Sequence, residues 1–418
     1  MNEHHQPLHL FEGFGVELEY MIVQRDDLRV LPITDMLIYD EVGAYLSDVE
    51  FGDIAWSNEL VLHVVELKTN GPADTLKGLE SKFQWHVRKI NEMLLKYNGM
   101  LLPTGAHPLM NPYTDTRLWP HDYNTVYEAY NRIFDCRGHG WANLQSTHLN
   151  LPFADDAEFG KLHAAIRVLL PLIPALSASS PILDGKVTGL QDTRLDVYRH
   201  NQDRIPAIAG KIIPEAVFTK KEYDEQIFQP IFKAVAPYDT DGILQDEFLN
   251  SRGAIARFSR NAIEIRLLDI QESPAADIAV LRAVAGVLQV LVAERWVALR
   301  HLKEFKEDML AGILLDVIRE GQQAVVTDPG LLHCFGLRGS GSKTVGEIWQ
   351  HLIRETPELE DDPAVAYILH TITSRGNLAK RILEATGENP AEQKIQEVYR
   401  QLAVCLQKGG IFLHDKPC

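Results

Sequence analysis

The stretch Gly13–Val23 reads GFGVELEYMIV. It alternates as a strand does, with Val16, Leu18 and Tyr20 on one side and Glu17 and Glu19 on the other. Taken alone, the pair fits a half-buried strand with a solvated outer face. Three later stretches repeat the pattern, and the question becomes what a set of such strands would hold.

WSNELVLHVVELKTNGP (Trp56–Pro72) places Glu66 directly after Val64 and Val65, where a carboxylate is costly to bury without a cation or hydrogen bonds. Glu59 lies seven residues earlier, so a regular strand aims it at the opposite face; it joins Glu66 only if the backbone bends between them. QSTHLNLP (Gln145–Pro152) sets Ser146, His148 and Asn150 on one strand face. A lone histidine there would read as a satisfied core residue; in a metal site it supplies a neutral ring nitrogen. RFSRNAIEIRLLD (Arg257–Asp269) reads as a hairpin turning at Ser259, Arg260 and Asn261. On its second arm Glu264 and Arg266 share a face, and Arg257 on the first arm is placed to join them.

If these strands form one sheet, its polar face gathers Glu17, Glu19, Glu66, His148 and Glu264. Carboxylates so crowded repel one another unless screened. Mg²⁺ or Mn²⁺ resolves this, because hard divalent cations take oxygen ligands and tolerate one imidazole. Such ions in turn bridge phosphate oxygens, which points to a phosphorylated substrate.

The chain has 418 residues, 45% of them hydrophobic and 24% charged, with a formal net charge of -17. An acidic chain argues against nucleic-acid or anionic-membrane binding, which need a basic face, but not against a nucleotide held through metal ions. Four cysteines (Cys136, Cys334, Cys405, Cys418) without a CxxC pair argue against a disulfide framework and for a reducing cytosol. MNEHHQPLHLF lacks the pattern of a signal peptide, and the richest apolar run, Ile166–Leu176, is broken by Pro171 and Pro174. A cytoplasmic protein is expected.

Strand-like runs at Val16–Val23, Leu60–Leu67, Ser146–Leu151, Ala254–Phe258 and Ala262–Leu268 are separated by helical stretches without regular alternation. One helix is expected from an Asp74 cap to Asn98, with Leu76, Leu79, Phe83, Val87, Ile90, Leu94 and Tyr97 on its apolar stripe and Gly99 ending it. Ser273 and Pro274 open another, with helical periodicity to Arg300. The class is α+β with an antiparallel sheet and flanking helices: a catalytic region over 1–300 and a mostly helical region over 301–418.

These motifs carry a resemblance. The chain resembles the glutamate–cysteine ligase family, in its bacterial second-type carboxylate–amine ligase branch, from about Phe14 to Arg282. GVELE is similar to the first metal-binding strand of that family, ELVLHVVELKT to its second acidic stretch, THLN to its H-x-N or H-x-H strand and IEIRLLD to its late E-x-R…D strand. IPALSASSPILDGKVTGLQDTR (Ile173–Arg194) resembles the long loop of serine, glycine and arginine. The resemblance implies a glutamine-synthetase-like sheet, ATP and two or more Mg²⁺ ions. It also implies activation of a carboxylate, typically the γ-carboxylate of glutamate, as an acyl phosphate that an amine attacks. Glu17, Glu19, Glu59, Glu66, His148 and Glu264 would then be metal ligands. Arg266 and Arg194 would contact phosphate or substrate carboxylate, and Arg257 and Asn150 would lie on the cofactor side. Asn at 150, in place of a second histidine, leaves the amine pocket open. The partners implied are small molecules, an amino-acid carboxylate and an amine; a homo-oligomer stays open.

The chemistry agrees with the residues. A carboxylate and an amine do not condense in water, so ATP converts the hydroxyl into a leaving group, and the protein supplies position and charge neutralisation. No protein nucleophile is required, Cys136 included. The alternatives are guanidino phosphorylation or amide hydrolysis on the same scaffold, and a non-catalytic Mg²⁺–nucleotide-binding protein. GLRGSGSKT (Gly336–Thr344) fails the phosphate-loop spacing because Ser342 separates Gly341 from Lys343. His4, His5 and His9 read as solvent-exposed residues.

Overall fold

The computed structural model describes residues 7–122, 124–339, 341–416 and 418. Its centre is an eight-stranded antiparallel sheet formed by β1 (Gly15–Gln24), β2 (Asp48–Phe51), β3 (Ile54–Asn58), β4 (Val64–Thr69), β5 (Gly99–Leu102), β6 (Ser146–Pro152), β9 (Ala254–Arg257) and β10 (Ala262–Asp269). The order is β2-β3-β4-β1-β6-β10-β9, with β5 paired to the Met21–Gln24 half of β1. Between β6 and β9, a small hairpin of β7 (Ile182–Leu183) and β8 (Lys186–Val187) forms within the serine–glycine loop.

Parity along β1 decides how the sheet is covered. Val16, Leu18, Tyr20 and Ile22 point into the main core, against helices Leu79–Leu94, Asp156–Leu169 and Pro274–Val292. Glu17, Glu19, Met21 and Val23 share the other face. Its carboxylate half stays open, while Met21 and Val23 pack with Ile395, Val398, Tyr399 and Leu402 of the last helix, Glu392–Lys408. β4 repeats the division, with Val64 under the helices and Glu66 and Lys68 beyond them. One face is therefore half sealed and half cleft. The main core also takes in Leu310, Leu314, Trp349 and Leu369, so the segments on either side of residue 300 share it.

Several expectations change on the structure. The strand expected over Leu60–Leu67 begins only at Val64, and it forms a hairpin with a strand not expected, β3, which ends at Asn58. The helix expected from Asp74 starts at Leu79, because Ala73 exchanges backbone hydrogen bonds with Phe14 (2.8 and 2.9 Å), which holds that segment extended. It ends at Leu94, a 3-10 turn follows to Tyr97, and Gly99 opens β5. Ser273 caps the helix that Pro274 begins, but the helix stops at Val292, and Glu294 sits at φ 56° beyond it. That helix, longer than the apolar run Ile166–Leu176, has the length and composition of a membrane span, yet 72% of its 18-residue apolar window is buried in the core. Cys405 and Cys418 are paired as a disulfide, a single bridge rather than a framework, where the chain end folds back over the last helix.

That chain end is fastened to the sheet. Glu272, three residues past β10, accepts from Arg381 Nη1 (2.6 Å) and from the Phe412 amide (3.2 Å), and the same Nη1 donates to the Phe412 carbonyl (2.6 Å). Glu272 and Arg381 are 0% and 1% exposed. Removing one partner strands the other charge in a medium that cannot solvate it. Glu272→Ala is expected to cost about 3–5 kcal/mol, read as a lower urea midpoint with little change in slope; an unchanged midpoint would mean the pair contributes nothing to the docked C-terminus.

Candidate functional site

Cross-strand register converts the sequence spacing into a site. Glu17 pairs with Lys68 of β4 on one side and His148 of β6 on the other. Glu19 stands opposite Glu66, and Glu264 opposite Asn150. The β3–β4 turn returns Glu59 to the same face, which supplies the bend its position required. All line a cleft of about 660 Å³.

The acidic residues fall into two groups. Ligand-type atoms of Glu17, His148 and Glu264 lie within 4.8 Å of one another, and so do those of Glu19, Glu59 and Glu66. In the first group His148 Nδ1 is 2.7 Å from Glu17 Oε2, and Asn150 Nδ2 donates to Glu17 Oε1 at 3.0 Å. Glu264 accepts from Arg257 Nε and Arg266 Nε, both at 3.0 Å. In the second, Glu66 Oε1 accepts from Ser57 Oγ at 2.7 Å, and Lys68 Nζ is 3.5 Å from it and 2.6 Å from Asp48 Oδ2.

The two groups differ in charge balance. Burial drives the Glu17 and Glu264 carboxyls up, but His148 for the former, and Arg266, Arg257 and His148 for the latter, more than offset it and hold both below the usual range. Burial lowers His148, yet Glu17 leaves it raised. Burial lifts Glu66 to about 7, with Glu17 adding to the effect against Lys68 and Ser57. Burial, then Glu19 and Glu66, lift Glu59 well above its ordinary value. One lysine is too little counter-charge for three desolvated carboxylates. A second positive charge fits this all-oxygen donor set, and the oxygen ligands and single imidazole of the first group likewise suit Mg²⁺ or Mn²⁺. These six residues are the ones that would hold such ions.

Arg257 and Arg266 lie in the cleft beside Glu264. Arg194 does not line it. The Arg194 guanidinium is buried, donating to the carbonyls of Arg266 (3.0 Å) and Leu267 (3.3 Å), with Asp269 at 3.4 Å. Lys68, Ser57 and Ser146 were not assigned from sequence. Lys68 carried a signal, since it shares parity with Glu66, whereas the partners of Ser57 and Ser146 depend on pairing between strands. Cys136 is fully buried and its thiol is pushed up to about 12 by burial, so it is no thiolate at neutral pH. In GLRGSGSKT, Thr344 caps helix Val345–Arg354 through a reciprocal bond with Glu347, and Lys343 pairs with Glu347. His9 is exposed and bonded to Glu158; His4 and His5 fall outside the described residues.

The family model for glutamate-cysteine ligase family 2 matches residues 13–401. A protein of Archaeoglobus fulgidus described as uncharacterized is 31% identical over 96% of this chain and 100% of its own length. A protein of Bradyrhizobium sp. described as a putative glutamate–cysteine ligase 2 is 27% identical, and that alignment spans 56% of this chain and 51% of the relative. Among solved structures, the glutamate–cysteine ligase of Francisella tularensis in complex with AMP superposes with a TM-score of 0.63 at 16% identity, covering 94% of this chain and 88% of that one. This likeness shows the fold: the antiparallel sheet with flanking helices of glutamine-synthetase-like ligases.

Raised carboxyl pKa values give cation binding a sign. A carboxyl whose folded pKa exceeds its unfolded value loses stability for the fold as pH rises from the unfolded pKa through the folded one. For Glu66 that window runs from 4.5 to about 7. A cation reverses the loss by favouring the ionised form and expelling the proton. Added Mg²⁺ is therefore expected to release protons near pH 6.5 and to raise the melting temperature more at pH 8 than at pH 6. Glu66→Gln should flatten that difference, and equal Mg²⁺ effects at both pH values in the wild type would argue against a cation in the second group.

Proposed function

The chain belongs to glutamate-cysteine ligase family 2, and from that membership and its cleft we propose that it is an ATP-dependent carboxylate–amine ligase. We assign the γ-carboxylate of glutamate as the group activated and an amine, cysteine or another amino acid or amine, as the acceptor. The observation that carries the reading is the pair of acidic groups side by side on one sheet face, with Arg257 and Arg266 at their edge. Mg²⁺ or Mn²⁺ held by Glu17, His148 and Glu264 and by Glu19, Glu59 and Glu66 would neutralise the phosphate oxygens of ATP.

The chain's own task is placement. The donor carboxylate oxygen attacks the γ-phosphorus, the bond to the bridging oxygen breaks and ADP departs, leaving an acyl phosphate. The amine then attacks the acyl carbon and inorganic phosphate leaves with the original carboxylate oxygen. Arg266 and Arg257 are suited to the equatorial phosphoryl oxygens, where charge is spread during transfer. We give Arg194 a supporting place instead, as the group that holds β10 where Arg266 departs from it. Buried Cys136 has no part. A cytoplasmic setting goes with this reading.

Hydroxylamine tests the intermediate directly. It is small and nucleophilic, so it captures an acyl phosphate whatever acceptor the pocket was shaped for. With Mg²⁺, ATP, glutamate and hydroxylamine, a hydroxamate is expected in step with ADP, and Glu66→Gln should lower both by about 10²-fold or more. If no carboxylate yields hydroxamate while a guanidine or amine is phosphorylated, the protein is a kinase. Amide cleavage without ATP would make it a hydrolase, and binding of ATP without turnover would remove catalysis from the proposal.

A further inference from the structure

A second cavity of about 660 Å³ opens where the end of β1 meets helix Leu79–Leu94 and the last helix, Glu392–Lys408. It shares no lining residue with the cleft, and its charge is reversed. Arg25, Arg88, Arg400 and Lys408 line it with one carboxylate, Glu92, in a chain of net charge -17. Among the described residues, no Asp or Glu side chain is ion-paired with any of the four. Exposed cations elsewhere do find carboxylates, as Lys82 finds Asp53 and Arg319 finds Asp316.

Backbone carbonyls hold these side chains instead. Arg88 donates from Nε to the Gln407 carbonyl (3.2 Å) and from Nη2 to the Lys408 carbonyl (3.0 Å), at the C-terminal end of the last helix. Arg400 Nη2 donates to the Asp26 carbonyl, and Lys408 Nζ to the Cys418 carbonyl at 2.8 Å. A carbonyl fixes a cation without neutralising it. The helix dipole accounts for Arg88 and Lys408, but Arg400 lies two turns earlier, and the Arg25 side chain makes no hydrogen bond or ion pair. Guanidinium groups placed this way suit phosphate, whose oxygens their planar forks take two at a time. Leu95 and Val404, 57% and 46% exposed, line the same cavity and offer an apolar seat. A cavity of this size takes a ligand of nucleotide dimensions.

We propose that this cavity is a second ligand site, which binds a small organic phosphate with its phosphoryl oxygens on Arg25, Arg88 and Arg400 and its body against Leu95 and Val404. The inference stands apart from the reading of the cleft. It requires no divalent cation, because the protein itself supplies the positive charge. Arg25 follows directly on β1, the strand that carries Glu17 and Glu19, and Arg400 belongs to the helix that seals the Met21–Val23 half of the same sheet face. A ligand that spans the two arginines fastens that helix to that strand, so its binding stabilises the docked helix and bears on the edge of the cleft.

ADP is the probe, titrated calorimetrically into the whole chain in EDTA at fixed ionic strength. Without cations the acidic cleft repels ADP, so metal-free binding reports on this cavity. The wild type is expected to bind ADP under these conditions and to melt at a higher temperature with it. Arg25→Ala and Arg400→Ala should each weaken binding by about 10-fold or more. Leu95→Ser should weaken ADP but not pyrophosphate, and Arg266→Ala in the cleft should change neither. Both arginines lie outside the core, and the melting temperature without ligand checks that each variant is folded. The proposal is overturned if ADP does not bind without cations, or if its binding survives both arginine substitutions. It is overturned equally if Arg266→Ala abolishes binding, or if ADP, pyrophosphate and citrate bind alike, which is plain counter-ion screening. None of these results touches the ligase reading, which stands or falls on hydroxamate formation with Mg²⁺.

Discussion

Desolvated like charge is the constraint around which the rest of this structure is arranged. Glu19, Glu59 and Glu66 approach one another on a sheet whose opposite face is apolar core, with Lys68 as the nearest cation. Left without further positive charge, Glu59 and Glu66 hold protons they would give up in water, and the fold bears the cost. The first group shows the alternative within the same cleft. There Glu264 lies between two guanidinium groups and Glu17 against His148, and both carboxyls stay ionised. The contrast separates a group that is balanced by the protein from one that is left for an external cation to balance.

Holding this arrangement requires that one sheet face serve two purposes. Strand parity sends Glu17, Glu19, Met21 and Val23 the same way, so covering the whole face would bury the carboxylates and leaving it open would expose the apolar half. The chain covers half. The last helix and the chain end lie over Met21, Val23 and Val64, fastened through Arg381, Glu272 and Phe412. The helical segment beyond residue 300 thereby defines where the cleft stops.

Parity within a strand was legible in the sequence, and it was enough to place Glu17 with Glu19, His148 with Asn150 and Glu264 with Arg266. Pairing between strands was not. WSNELVLHVVELKT has the β-branched content of a continuous strand, and only the hairpin pairing of Ser57 with Glu66 shows why Glu59 comes back to the same face. The Asp74 cap failed for a related reason: the bridge from Ala73 to Phe14 belongs to tertiary structure and outweighs a local capping preference. The disulfide between Cys405 and Cys418 likewise follows from a chain end whose return over the helix no spacing rule encodes.

Arg194, expected to contact phosphate or substrate carboxylate, instead turns its guanidinium to the backbone of β10. Its loop is adjacent to the site, and its charge suggested a clamp on phosphate. The register between β10 and β6 shifts between Ile265 and Leu268, so one extra residue bulges from β10. A bulge leaves backbone carbonyls without ladder partners, and buried carbonyls need donors. The Arg194 guanidinium supplies them to Arg266 and Leu267, while the Arg266 amide donates across to the Gly253 carbonyl at 3.0 Å. The bulge is thus pinned from both sides at the residue whose side chain enters the cleft. Arg194 bears on the cleft by fixing the backbone from which Arg266 reaches Glu264, and its distance from the carboxylates follows from that task.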